Sequence, residues 1–249
     1  MSTVKIIRHG KKDGTKLSQQ GRLESFVKGQ ALKNQYKSFI TYGSDFQASE
    51  GYPGRAVETA DLLVIGAGLY GYARQFVDSK LVPKYSDAEY KQVIEGIKSG
   101  MTPFESAYKF ARESLYANAK SLADFVEQYE QSVEGEAVVG VTHSPSIEAL
   151  AYLLGVKFDE AKPEPKELDG ITVAYDSKSG IYTATVDYAS GQQINVQGSL
   201  SDAVESSAET IDSKVANAET HNAEAQEAEA SEATGSVTET GSQTAEASE

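Results

Sequence analysis

Residues 137–142 read AVVGVT, a run with no charged side chain and no alternation of apolar with polar positions. A strand without alternation is buried on both faces, and such strands belong to sheets covered by helices on either side. Residues 3–7 (TVKII) and 38–42 (SFITY) are two further short strand-like runs. Between these runs the period changes. Ser18 is an N-cap, and Leu23, Phe26, Val27 and Leu32 then follow one helical face. Residues 55–65 place Ala56, Ala60 and Leu63 on one side of a helix. Residues 87–133 are mostly helical, broken by Gly100 and Pro103, and residues 147–154 form a helix after the AVVGVT strand. Residues 74–77 read as another strand. Residues 171–175 and 182–188 alternate as an antiparallel pair around a turn at 177–180. Strands alternating with helices predict an α/β fold: a three-layer α/β/α sandwich with a mostly parallel central sheet. Functional side chains then belong in loops at the carboxyl ends of the strands.

The chain has 249 residues, of which 39% are hydrophobic. That length suits one ordinary domain, and the low apolar fraction assigns part of the chain to a region outside the core. No aromatic residue follows Tyr188. From residue 199 onward, twelve acids against one base, Lys214, account for −11 of the net charge of −14, which leaves −3 for the rest. Residues 1–198 are therefore read as the folded domain. Residues 199–249 are read as an acidic Ala/Glu/Ser/Thr-rich tail, largely disordered, with one weak amphipathic helix through Leu200, Val204, Ile211 and Val215. The acidity argues against nucleic acid as a partner and suits, for the tail, a basic partner. There is no cysteine, so disulfides, thiolate metal sites and thiol nucleophiles are excluded. The N-terminal apolar run is too short for a signal peptide, and no run approaches the ~18 residues that span a bilayer. A cytoplasmic protein with no membrane partner is expected.

Only three histidines are present. His221 lies in the tail and is incidental. His9 and His143 each follow the end of a predicted strand, and each precedes small or turn-forming residues, Gly10 and Ser144-Pro145. Two capping histidines would fit those positions. Arginine tips the reading toward chemistry: Arg8 precedes His9, and Arg55 opens a helix after a Gly- and Ser-rich loop. Placing cations beside a strand-end imidazole is a poor structural choice, since they disfavour its protonation. It is a good choice for a phosphoryl group, because guanidinium offers a planar fork of donors to phosphate oxygens and a neutral imidazole can attack phosphorus.

These residues carry a family resemblance. The opening VKIIRHGKKDGTKLSQQGRLES resembles the start of the histidine phosphatase (phosphoglycerate mutase-like) superfamily, through Arg8-His9-Gly10 after the first strand and Leu17-Ser18-Gln19-Gln20-Gly21 at the helix entry. Arg55-Ala56-Val57-Glu58-Thr59-Ala60 resembles its second motif, and VVGVTHSPS with His143 its third. The resemblance implies that His9 becomes phosphohistidine. It also implies that Arg8, Arg55 and His143 hold the phosphoryl oxygens. Gly10, Lys11 and Ser144 are further candidate substrate contacts; Lys11 and Lys12 either widen the positive field around the phosphate or are exposed charges. The resemblance implies no metal and no cofactor, and a phosphorylated small molecule or phosphoprotein as substrate.

One part of the family pattern is missing. Many members place a Glu in a Leu-x-Glu context after the third strand, where this chain has Leu81-Val82-Pro83. The acid-phosphatase branch puts Asp directly after the second His, where this chain has Ser144. Asp78, Asp87, Glu89 and Glu148 are the carboxylates available as a substitute general acid. The same gap, with His-Ser-Pro after the last strand, is similar to the SixA-type branch acting on protein phosphohistidine, whose leaving group is more readily protonated than an alkoxide. The reading is a metal-independent phosphatase acting on a phosphomonoester or phosphohistidine. The alternative is a catalytically weak phosphate-binding or scaffolding protein. A phosphoglycerate mutase is disfavoured, because it needs a placed acid/base.

Overall fold

The computed structural model describes residues 2–69, 76–129, 136–158, 164–176, 178–188, 193–199 and 202–203. The chain divides into two units, Met1–Ile211 and Asp212–Glu249, and every described residue belongs to the first. The expected tail beyond Ala203, its weak helix and His221 lie outside the described residues, as do residues 74–75 of the expected third strand and residues 130–133 of the long helical stretch.

The order of elements is β1 (Ser2–Arg8), β2 (Lys12–Asp13), β3 (Lys16–Leu17), α1 (Gln19–Gln35), β4 (Ser38–Gly43), α2 (Arg55–Gly66), a 3-10 turn (Ser79–Leu81), α3 (Asp87–Lys98), α4 (Pro103–Phe110), α5 (Arg112–Gln128), β5 (Glu136–Thr142), α6 (Ser146–Leu153), β6 (Gly170–Asp176), β7 (Ile181–Asp187) and β8 (Gln193–Ser199). Six strands form one sheet in the order β4-β5-β1-β6-β7-β8. β4, β5 and β1 run parallel. β6, β7 and β8 then add antiparallel neighbours. The sheet is therefore mixed: the parallel expectation holds for the half that carries the histidines, and the closing half is a meander. Short hairpin-type connections make antiparallel neighbours, whereas each parallel pair needs a crossover.

Alternation on the central strands separates two cores. Ile7, Phe39, Ala137, Val139 and Val141 pack with Leu32, Ala56, Ala60, Leu63 and Val64 under α1 and α2. On the opposite face, Gly140 lies against Ile6, Leu81 and Phe125, under α5. Each fully buried side chain of this size contributes about 1.5–3 kcal/mol.

Helix α1 departs from the expected face. Its buried positions are Gly21, Ser25, Gly29 and Leu32, while Leu23 and Val27 are 64% and 52% exposed. The reason is close approach. A Cβ on Gly29 would sit 2.1 Å from the Leu63 carbonyl oxygen, and one on Gly21 would sit 2.1 Å from the Lys11 carbonyl oxygen. Leu32 packs against α2 as expected, but the close approach of α1 to α2 is made at Gly29 and not through Leu23 or Val27. Ser18 caps α1 as expected, accepting from the Gly21 N–H at 2.9 Å, a contact of about 1 kcal/mol.

Two elements were not foreseen. β2 and β3 form a hairpin, paired Lys12 to Leu17 and Asp13 to Lys16, and the Asp13-Gly14 dipeptide with Gly14 at φ +56° was its signal. β8 pairs with β7 along its whole length. Its apolar content is only Ile194 and Val196, because it is an edge strand with little of its surface buried.

Candidate active site

The end of β1 is fixed from both sides. The Arg8 N–H donates to the Asp169 carbonyl, the His9 N–H donates to the Thr142 carbonyl, and the Leu168 N–H donates to the Arg8 carbonyl. His9 and His143 thus leave neighbouring parallel strands side by side. Their ring centroids are 4.8 Å apart, and both residues are buried.

Gly10 completes the local frame. Its carbonyl accepts from His9 Nδ1 at 2.7 Å. That bond assigns the proton to Nδ1 and leaves Nε2 as the basic nitrogen. The Gly10 N–H donates to Thr59 Oγ1 at 3.1 Å. Both polar groups of Gly10 have partners within the protein, and its carbonyl orients His9. A side chain cannot replace glycine here, since its Cβ would meet Ser25 Oγ at 2.7 Å.

Arg55 and Thr59 lie one turn apart on α2, so both face the end of β1. The helix is entered through Gly54 at φ +96°, a conformation that glycine alone adopts without cost. Arg55 Nη2 donates to Gln47 Oε1 at 2.8 Å, and Nη1 donates to the Gly14 carbonyl at 3.3 Å. Gln47 itself sits at φ +64°, in the left-handed region that is uncommon for a residue with a side chain. Its amide nitrogen donates to Tyr90 Oη at 2.5 Å. Tyr90 stands edge-on to Phe46, and Phe46 edge-on to His143. Arg8 Nη1 donates to the Pro165 carbonyl at 3.0 Å, and Nη2 lies 3.8 Å from Glu167.

The charges that shift His9 most are cations. Burial, then Arg55, Arg8 and Lys12, bring the imidazole down to about 3, against the opposing pull of the Gly10 bond. His143 is also pushed well below its usual value, chiefly by burial and then by His9, Arg55 and Arg8. Both rings are neutral near pH 7. Lys12 belongs to this cationic group, held down by burial and by Arg55 and Arg8. Lys11 does not: it points outward and pairs with Glu24 at 2.9 Å. Both lysines keep exposed surface, and Lys12 is the one whose charge acts on His9 together with Arg55 and Arg8. Three buried nitrogens around His9, namely Arg8 Nε, Arg55 Nε and His143 Nε2, have no partner among the described residues.

The four candidate acids separate. Glu89 closes a capping box with Ser86 at the start of α3 and also accepts from Ser114. Those bonds hold its carboxyl below the usual range, Ser86 contributing most. It is an ionised cap and not a donor. Asp78 caps the 3-10 turn through the Lys80 N–H and accepts from Tyr129. Asp87 is exposed in the first turn of α3. Glu148 is the one that the fold brings beside the site. It is wholly buried, and Ser144 Oγ donates to its Oε1 at 2.7 Å. Ser144 is thereby tied to Glu148.

Glu164, which no motif suggested, accepts from Thr102 at 3.3 Å. Burial, then Glu148, push its carboxyl up to about 8. In the unfolded chain it ionises near 4.5, so between these values the unfolded state holds fewer protons. Stability from this group is complete below about 4.5 and is lost as the pH rises toward 8. Glu164→Gln is expected to raise the melting temperature by a few degrees above about pH 8 and to change it little near pH 4.5. Thermal melts at the two pH values check this.

Among the described residues no cluster of three or more His, Cys, Asp or Glu side chains is placed to hold a metal ion, and no helix is long and apolar enough to cross a membrane. No family model matches the chain, and no curated protein matches it. Solved structures do. A phosphoglycerate mutase from Plasmodium falciparum is similar at 18% identity, over 80% of this chain and 99% of that one, with a TM-score of 0.45. The protein histidine phosphatase SixA, solved with tungstate, is similar at 14% identity, over 80% of this chain and 98% of that one, with a TM-score of 0.34. Both likenesses are remote in sequence.

Proposed function

We propose that this chain is a phosphatase that passes a phosphoryl group from a phosphomonoester or a phosphohistidine to His9 Nε2 and then to water. The observation that carries the reading is the ring of unpartnered nitrogens, Arg8 Nε, Arg55 Nε and His143 Nε2, around a neutral imidazole whose Nδ1 is already occupied. Buried donors without acceptors are costly, and the equatorial oxygens of a transferring phosphoryl group would satisfy them. Arg8, Arg55 and Lys12 supply the charge that a spreading negative transition state requires. Depression of His9 keeps the nucleophile unprotonated, so it needs no base.

Purified protein should release phosphate from an aryl phosphate, and denaturation at high pH should trap a labelled phosphohistidine that is lost on acid treatment. Phosphate binding without any turnover, on aryl phosphates and on phosphohistidine peptides, would favour the weak-catalyst reading. That second reading draws on the lack of any carboxylate among the groups that shift His9 most.

Gln47 offers a finer test. Its amide oxygen holds Arg55 and its backbone is left-handed. Gln47→Gly removes the amide while relaxing the backbone. The melting temperature should hold or rise, while inorganic phosphate binds about tenfold more weakly, as expected for one lost hydrogen bond to a charged group. Calorimetric titration with phosphate beside a thermal melt reads both.

A further inference from the structure

We propose that Ser144 and Glu148 form the proton relay that serves the leaving group, Ser144 as the donor that meets substrate and Glu148 as the acid behind it. The proposal rests on the phosphotransfer reading above and fills its one gap. The charges that shift His9 most are cations, yet an alkoxide or phenoxide leaving group has to be protonated.

The geometry is local and specific. Ser144 follows His143 directly and is half-buried, whereas Glu148 has no exposed surface. The two lie across the first turn of α6, with 2.7 Å between Ser144 Oγ and Glu148 Oε1. The other oxygen, Oε2, is buried and has no partner among the described residues. An ionised carboxylate in that position would carry its charge with one oxygen unsolvated. A neutral acid avoids most of that cost. Burial pushes the Glu148 carboxyl upward, opposed by Arg8 and by the Ser144 bond. The groups that face it are Arg8 at the end of β1, Glu164 ahead of β6, Tyr85 ahead of α3 and Tyr152 of α6. Glu164 and the two tyrosines are themselves pushed up and neutral near pH 7, so burial is what holds the carboxyl protonated, and Arg8 can stabilise a transient charge there. Being wholly buried, Glu148 has Ser144 as its route to the reacting group.

The steps balance. His9 Nε2 forms a bond to phosphorus as the bond from phosphorus to the leaving atom breaks, with the electron pair going to that atom. As the leaving atom departs, the Ser144 hydroxyl turns its proton from Glu148 Oε1 to that atom, and the neutral Glu148 carboxyl, protonated on Oε1, gives its proton to Ser144 Oγ across the same 2.7 Å contact. Glu148 is then a carboxylate and Ser144 is unchanged. In the second half, water attacks the phosphohistidine and the bond from phosphorus to Nε2 breaks. The water proton returns through Ser144 to Glu148.

A relay of this kind matters more as the leaving group becomes more basic. The test is kcat/KM for the full chain and for Ser144→Ala and Glu148→Gln on a series of aryl phosphates from p-nitrophenyl to phenyl. The loss should grow along the series, from a few-fold on p-nitrophenyl phosphate to ~10²-fold on phenyl phosphate, within the range expected for general acid catalysis. Binding of inorganic phosphate reports that each variant is folded. If Glu148→Gln does not fold, Ser144→Ala alone decides. A loss of equal size along the series, or none, overturns the relay and leaves the phosphatase reading standing. Failure of the unmodified chain to turn over both p-nitrophenyl phosphate and a phosphohistidine peptide overturns both proposals.

Discussion

His9→Ala should lower phosphate release by on the order of 10⁴-fold or more, the scale on which removal of an enzyme nucleophile is felt, while the protein still binds inorganic phosphate. The split follows from geometry. Arg8, Arg55, His143 and Lys12 bind an anion without His9, but no other described side chain sits among them with an unprotonated basic nitrogen oriented by a backbone carbonyl. The same substitution should abolish the acid-labile phosphoprotein. A further signature is available in the pH profile of the unmodified chain. Since burial and the surrounding cations hold His9 at about 3, kcat/KM should show no acid limb near the ordinary histidine value of about 6.5 beyond the substrate's own second ionisation. Retention of turnover by His9→Ala, or a limb near 6.5 assignable to the protein, would remove His9 from the role.

Arg55→Ala should cost ~10³-fold in kcat, with a smaller change in the affinity for ground-state phosphate. An arginine aimed at transition-state charge is worth roughly 10³–10⁵-fold in phosphoryl transfer. Arg55 is suited to that role because its guanidinium is held at two nitrogens, by Gln47 and by the Gly14 carbonyl, and its Nε is left over. Arg55→Lys should recover little, because an ammonium cannot reproduce the planar fork. Steady-state kinetics on an aryl phosphate measures both variants. Full rescue by lysine would mean that Arg55 acts only as a point charge.

Much of this site could be read from residue order alone. Strands are easiest to see where they are buried on both faces, as at residues 137–142. Motifs are easiest to see where a residue type has one plausible use, as with Arg8-His9-Gly10. What escaped notice depends on contacts distant in sequence. Lys11 and Lys12 are chemically identical, and only the fold decides which one joins Arg8 and Arg55 in acting on His9. Leu23 and Val27 satisfy a helical apolar pattern, yet α1 turns Gly21, Ser25 and Gly29 inward because backbone meets backbone there. Gln47 belongs to no motif; its importance arises from a left-handed backbone and from Arg55 and Tyr90 on either side of its amide. Glu148 stands in sequence as one of four candidate acids, and only the fold shows it wholly enclosed.

The position of β1 between β5 and β6 has a consequence for how the molecule comes into being. Ile7 is paired with Val141 on one side and with Gly170 on the other. β1, which leads into His9, is made before both of its neighbours, with more than a hundred residues between it and either one. Contacts so distant in sequence form slowly, because a long loop must be closed before they repay it. Until β5 and β6 have emerged, β1 presents two open edges, a hazard for misassembly. Activity should therefore appear in a translating population only after synthesis passes β6, as an abrupt gain and not a gradual one.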